Sequence, residues 1–433
     1  MNDQPVSDRR RFRRRAAAIG AGALVAIAGA LGSARGADPA ALVSGAEPLR
    51  LGVPGAANSG VSLAALGSSV VVTWAARAGS ATDVYAAWSR DGGASFETPV
   101  RVNDAPGDAR VSGEQAPRIA LAGSVRVVWE SSQGGNAVVR TATRPSGAAA
   151  FGAAASVHPE GLTGARGWAS LAADENGAAH VAWLDGRGDA PAGAAAAASA
   201  QGARRMGHGG RQDLFQASLW PDGTRSETRI ATDVCFCCKT AVAAGPDGSV
   251  YVAWRHIYKP NLRDIAVARS SDGGRTFAAP VRVSEDGWAI DACPDDGPSL
   301  AVDAKGVLHV AWPTRVSEAG KGVFYSRSTD GGRSFAPRAR VDETQGGAGH
   351  PQLAVAGERV FVVWDEATAG ARRALLRSVE ASGAWPPRMD AAAALSTGPA
   401  SYPAVAASAA ATLAAWTVTD PAGSFVRVKR LER

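Results

Sequence analysis

The chain has 433 residues, 46% of them hydrophobic and 20% charged, with 51 Gly and 24 Pro. That composition supports a large core with many turns and excludes general disorder. The net charge of +6 sits mostly in residues 1–36, which hold seven Arg against two Asp; the remainder is near neutral, so nucleic-acid binding has no electrostatic footing.

Residues 1–36 read as an export signal. Arg9-Arg10-Arg11-Phe12-Arg13-Arg14-Arg15 is a basic head, Ala16 to Gly32 is apolar and small, and Ala34-Arg35-Gly36 supplies small residues for cleavage. Ala37 is then the first mature residue, and the protein is expected in the periplasm or secreted. Arg9-Arg10-Arg11-Phe12 resembles the twin-arginine export pattern, with Arg13-Arg14 where Leu-Lys usually follows. An uncleaved anchor is the competing reading, but Ala16 to Gly32 falls short of the ~20 apolar residues that a span needs. No other stretch reads as a membrane span.

From residue 37 onward one unit repeats. Its clearest copy begins with the apolar run Thr240–Ala244 and the turn Pro246-Asp247-Gly248. The strand Val250–Trp254 follows, then a polar loop Arg255–Arg263, a strand Ile265–Arg269, a tight turn Ser270–Phe277 and a last strand Pro280–Ser284. A Trp ends the second strand of each copy: Trp74, Trp129, Trp183, Trp254, Trp312, Trp364 and Trp416. A four-strand unit of about 50 residues is the signature of a β-propeller. Length alone suggests two or three domains; the repeat overrides that and makes residues 37–433 one all-β domain of four-stranded antiparallel blades. Seven Trp predict seven blades, with a six-bladed ring and one unit stacked outside it as the alternative. A long solenoid or sandwich fits the Trp period less well. The last unit, Tyr402 to Arg433, has room for three strands. Pro48-Leu49-Arg50-Leu51 matches the fourth strands Pro99-Val100-Arg101-Val102 and Pro280-Val281-Arg282-Val283, so the two chain ends should close the ring in one sheet. The stretch 188–212, Ala-rich and then Arg204 to Gly210, is a low-complexity insert in blade 3. It reads as a mobile loop, or as a lid with Met206 and His208 as extra soft ligands.

Three units carry one turn: Ser89-Arg90-Asp91-Gly92-Gly93-Ala94-Ser95-Phe96, Ser270 to Phe277, and Ser328-Thr329-Asp330-Gly331-Gly332-Arg333-Ser334-Phe335. This resembles the Asp-box, or BNR repeat, of the sialidase superfamily. Its Asp should accept backbone hydrogen bonds across the turn, and its Gly pair should supply positive φ. Pro221-Asp222-Gly223 and Ala381 to Trp385 look like degenerate copies. The resemblance implies a propeller in which the box is a structural turn remote from the site. It also implies a possible exo-acting glycoside hydrolase with three Arg gripping a sugar carboxylate, a Tyr nucleophile activated by Glu, and an Asp acid. The family's Arg-Ile-Pro has its nearest match in Pro117-Arg118-Ile119-Ala120, which lacks the Pro. Arg166, Arg187, Arg255 and Arg315 are candidates for the triad, and Tyr258 or Tyr402 for the nucleophile.

Strand polarity gathers two kinds of segment on the face opposite the boxes, here the top: the lead-in to each first strand and the stretch after each Trp. The lead-ins supply Glu114, Gln115, Arg166, Trp168, Cys235, Cys237, Cys238, Lys239, Asp291, Cys293, Asp295, Asp296, His350 and Tyr402. The stretches after Trp supply Glu130, Asp185, Arg187, Arg255, His256, Tyr258, Arg315, Asp365 and Glu366. A ligand site at the axial mouth, centred on the cysteine segments, is the expectation. The four cysteines admit three readings. One is disulfides, either Cys293 to Cys235 or Cys237, or a vicinal Cys237–Cys238 ring. The second is a copper or zinc site completed by His256 and His350. The third is a thiol-exchange pair. The ligand is expected to be a small molecule, a glycan or a metal; a scaffold for periplasmic protein partners is the remaining reading.

Overall fold

A computed structural model describes Val43 and residues 46–133, 135–187, 212–290, 295–316, 320–344, 347–368, 370–421 and 423–432. Residues 1–36, expected to be an export signal, the insert to residue 211, Asp291 and Cys293 lie outside the described residues.

The described strands form seven antiparallel sheets. Blade 1 runs from Ala57–Leu66 to Val100–Arg101, blade 2 from Ala109–Arg110 to Ala155–Ser156, and blade 3 from Arg166–Ala173 to Arg225–Ala231. Blade 4 runs from Ala241–Ala244 to Val281–Arg282, blade 5 from Ser299–Val302 to Ala339–Arg340, and blade 6 from Ala348–Ala356 to Ala393–Ala394. Blade 7 joins Ser401–Ala407, Thr412–Asp420 and Gly423–Arg430 to the N-terminal Leu49–Leu51. Its closing register is Leu49 opposite Val428, Arg50 opposite Arg427 and Leu51 opposite Val426. First strands of consecutive blades touch all the way round, and those of blades 7 and 1 complete the circuit. All seven units therefore belong to one ring, and the six-bladed alternative is excluded. Among the described residues no helix is long and apolar enough to cross a membrane.

Each interface between neighbouring blades has its own apolar cluster. On the second strand of blade 1, Val70, Val72 and Trp74 pack toward blade 7, whereas Val71 packs toward blade 2. The period of two thus feeds both interfaces, and the strand is apolar on both faces. The seven repeat Trp are at most 2% exposed. Replacing one by Ala would cost about 3–5 kcal/mol through lost burial and the cavity left behind.

The three boxes form one structure. In the first, Asp91 accepts from Ser89 Oγ and Ser95 N through Oδ1 and from Ser95 Oγ through Oδ2, at 2.7, 3.0 and 2.6 Å. The same set recurs around Asp272 and Asp330. Both glycines have positive φ, 72° and 89° at Gly92 and Gly93. The second also abuts the preceding blade: a Cβ on Gly93 would lie 2.2 Å from Leu413 of blade 7, and one on Gly274 2.4 Å from Ser218 of blade 3. The box is therefore a clip between blades.

Strands two and three reach further than the sequence suggests. In blade 4 they are Val250–Tyr258 and Leu262–Ser270, paired up to Tyr258 opposite Leu262. Most of the polar stretch read as a loop is hairpin. Polar residues survive there because ladder bonds and local partners satisfy them.

Candidate functional site

The top face is shaped by a shared irregularity. In blades 1, 3, 6 and 7 the first strand breaks register between Ser59 and Ser62, Gly167 and Ser170, Gly349 and Gln352, and Ser401 and Ala404. A residue in the left-handed region sits in each bulge: Gly60, Trp168, His350 and Tyr402, with φ of 67°, 60°, 54° and 49°. Three of these are not Gly, and that conformation costs about 1–2 kcal/mol each. A carboxylate holds each of the three by its backbone N–H. Glu130 accepts from Trp168 at 2.5 Å, Asp296 from His350 at 2.8 Å and Asp365 from Tyr402 at 2.8 Å. In blade 2 the bulge widens into a loop between Ala109–Arg110 and Arg118–Ala122. That loop carries Glu114 to blade 4.

These features build a polar cluster at the axial mouth. Lys239 Nζ meets Glu114 Oε2 at 2.8 Å, with both side chains at most 3% exposed. Lys239 also donates to the Pro351 carbonyl at 3.0 Å, and Arg118 to the Glu114 carbonyl at 2.5 Å. His350 Nδ1 lies 2.7 Å from Asp365 Oδ1, which also accepts from Arg372 Nε at 2.9 Å and Nη2 at 2.5 Å. The His350 and Tyr402 rings are 4.3 Å apart. Burial opposes a charge on His350, but Asp296, the Asp365 bond and Glu114 outweigh it and hold the pKa above its ordinary value. Burial raises Tyr402. Among the described residues, buried Asp296 Oδ1 has no hydrogen-bond partner. Beneath the mouth, Ser62, Arg118, Ser170, Thr240, Ser299 and Gln352 line a channel of about 180 Å³.

Cys235, Cys237 and Cys238 are buried together beside Trp168, Phe236 and Ile257. Their sulfurs lie within 4.8 Å of one another, and among the described residues no His, Asp or Glu joins them. Cys235 and Cys238 are free thiols with Sγ atoms 3.3 Å apart. Arg263 Nη1 donates to Cys235 Sγ at 3.3 Å. The bond from Cys238, then Arg263 and Arg255, hold the Cys235 thiol down at about 6 against burial. Burial pushes Cys238 well above the usual thiol range. Cys235 and Cys238 have C-x-x-C spacing inside Cys235-Phe236-Cys237-Cys238, a local signal that the sequence reading passed over. Arg263 was also missed, because it reads as a loop residue.

The structure gathers Glu114, Lys239, Asp296, His350, Asp365 and Tyr402 at the mouth, and Trp168 packs against the sulfurs. Arg315 lies beside Asp296 next to Gly349, whereas several other candidates are engaged elsewhere. Arg166, Asp185 and Arg187 form a network within blade 3. Asp185 Oδ2 accepts from Arg166 at 3.2 Å, Trp183 Nε1 at 2.8 Å and Arg187 at 2.6 Å. Arg166 otherwise donates to the carbonyls of Leu162, Thr163 and Gly164. Arg187 stacks on Phe215 and pairs with Glu227. Arg255 is spent on the carbonyls of Arg263, Asp296 and Pro313. His256 accepts from Trp254 Nε1 at 3.2 Å and packs against Tyr258, over which Arg282 stacks. Burial raises Tyr258 to about 12. Asp295 is in the left-handed region with φ of 58°. Glu130 faces a cleft between blades 2 and 3. Burial lifts its carboxyl from 4.5 to about 7, against the Trp168 N–H and the charges of Arg110 and Arg118.

The fold is that of a sialidase-like propeller. A crystal structure of a protein of unknown function from Dyadobacter fermentans superposes with a TM-score of 0.52 at 12% identity, over 89% of this chain and 99% of that one. Phage phi92 endosialidase gives 0.50 at 9% identity, over 89% and 69%. Trypanosoma rangeli sialidase gives 0.44 at 14% identity, over 74% and 54%, so this chain spans about half of that protein. Identities this low speak to the fold alone. No protein-family model matches the chain, and no curated protein matches it.

Proposed function

We propose that this is an exported, sialidase-like binding propeller that holds Cu(I) on its top face through Cys235 and Cys238. The observation that carries the reading is the pair of free sulfurs 3.3 Å apart in a buried pocket. Thiolates select soft ions, and Cu(I) is satisfied by few of them. Zinc takes four tetrahedral ligands. Among the described residues no His or carboxylate joins the three sulfurs within ligand range, which suits zinc poorly. Arg263 beside Cys235 offsets the negative charge of a Cu(I) bis-thiolate.

Cys237 is assigned to a bridge with Cys293. It is not one of the free thiols, and the chain has four cysteines. Such a bridge would tie blade 4 to blade 5 and fix the segments that carry Lys239 and Asp296. It also fits the oxidising compartment that the export signal implies. The hydrolase reading is weaker, since Arg166, Arg187 and Arg255 are already committed to carbonyls and carboxylates.

Titration of residues 37–433 with Cu(I) against a chromogenic Cu(I) chelator tests this. One copper per chain should be retained by the natural sequence and lost in Cys235→Ser. Cys293→Ser should keep the copper but lower the melting temperature. Failure to retain copper against the chelator, or retention undiminished in Cys235→Ser, overturns the assignment.

A further inference from the structure

The cleft between blades 2 and 3 has a chemistry of its own. It encloses about 200 Å³, room for one small molecule, and Arg110, Gln115, Glu130, Trp168 and Phe236 are among its walls. Arg110 and Glu130 face each other across the sheet, in direct register. Residues so paired project from the same side with Cβ atoms about 5 Å apart, close enough for an ion pair. Yet among the described residues neither forms one.

Glu130 is 7% exposed. Its Oε1 is occupied by the Trp168 N–H, while Oε2 has no protein partner among the described residues. Arg110 and Arg118 act on this carboxylate only through space, and among the described residues no ion pair closes on it, so the site favours a cation at Oε2. The approach is built in: a Cβ on Gly167 would lie 2.7–2.9 Å from the Glu130 carboxyl, so only glycine admits it there. Arg110 is exposed at the rim, a cation awaiting an anion. Half-buried Trp168 and Phe236 present aromatic surface in the same cleft.

An acid and a base side by side in a cleft with an aromatic wall match a molecule with the opposite charges on one carbon. We propose that this cleft binds a free α-amino acid with an apolar or aromatic side chain. Its ammonium group sits on Glu130, its carboxylate on Arg110 and its side chain against Trp168 and Phe236. The inference does not rest on the copper site, since it uses neither sulfur, although Trp168 and Phe236 also pack against the sulfur cluster.

Calorimetry on residues 37–433 with L-phenylalanine and L-leucine tests it. L-Phenylalaninamide lacks the carboxylate and 3-phenylpropionate lacks the ammonium. Each should bind at least about tenfold more weakly than L-phenylalanine. Glu130→Gln should weaken only ligands that carry the ammonium, and Arg110→Gln only those that carry the carboxylate. Glu130→Gln keeps an oxygen for the Trp168 N–H, and an unchanged circular dichroism spectrum checks its fold. No heat from either amino acid up to its solubility limit overturns the proposal. So does either analogue binding as tightly as L-phenylalanine, or L-phenylalanine binding undiminished in both variants.

Discussion

Glu130→Gln should make the protein more stable at neutral pH and leave it unchanged in acid. Burial lifts the Glu130 carboxyl from 4.5 to about 7 in the folded chain. A displacement of that size is worth about 3 kcal/mol between the two protonation states. The raised folded value fixes the sign. Below pH 4.5 the carboxyl is protonated whether the chain is folded or not, and it costs nothing. As pH rises from 4.5 to about 7 the unfolded chain releases the proton while the folded chain keeps it, so stability is lost across that window. Gln cannot titrate, and its amide oxygen accepts the Trp168 N–H in place of Oε1. Urea unfolding of both proteins, followed by tryptophan fluorescence at a series of pH values, isolates the effect, because every other group titrates alike in the two. The difference should grow from near zero at about pH 4 to about 3 kcal/mol at about pH 8, in favour of the variant. A flat difference would mean that Glu130 stays ionised and paired, and that the cleft carries no unmet charge.

Two further substitutions probe the mouth and the clips. Lys239→Met strands Glu114 in a buried site and should cost about 3–5 kcal/mol, most of it recovered by adding Glu114→Gln; equal losses in the single and double variants would show that the pair is not coupled. Asp272→Ala removes the acceptor for Ser270, Arg275 and Thr276 and should cost about 1–3 kcal/mol in urea, with copper loading per folded molecule unchanged. A fully stable variant that no longer binds copper would put the box on the wrong face.

Much of the fold is local, and so it is legible in the sequence. The Trp period, the Ser-x-Asp-Gly-Gly turns and the Pro-Leu-Arg-Leu match at residues 48–51 each report on a few neighbouring residues. What escaped depends on distant partners. Trp168, His350 and Tyr402 give no hint of positive φ, since the carboxylates that hold them lie 37 to 54 residues away. Strand polarity put the right segments on one face. It could not say that Arg166 and Arg187 would be met by Asp185 and Glu227 within one blade while Glu114 reached across to Lys239. Arg255 to Tyr258 were read as loop because polar residues imitate one, although the ladder runs through them. Cys235 and Cys238 are the exception: their spacing is local and was open to view.

The closing pair in blade 7 has a mechanical consequence. Leu49–Leu51 runs antiparallel to Gly423–Arg430, with Leu49 opposite Val428. Both chain ends therefore leave from the same end of the same two strands. A load pulling the termini apart would not shear that ladder, which would set its bonds against the force together. It would peel them singly from Leu49 inward, like a zip. The seam that seals the ring is thus the place where traction on the ends opens it first. Once it parts, blade 7 keeps three strands, and the outer edge along Val426 to Val428 is bared to whatever is pulling.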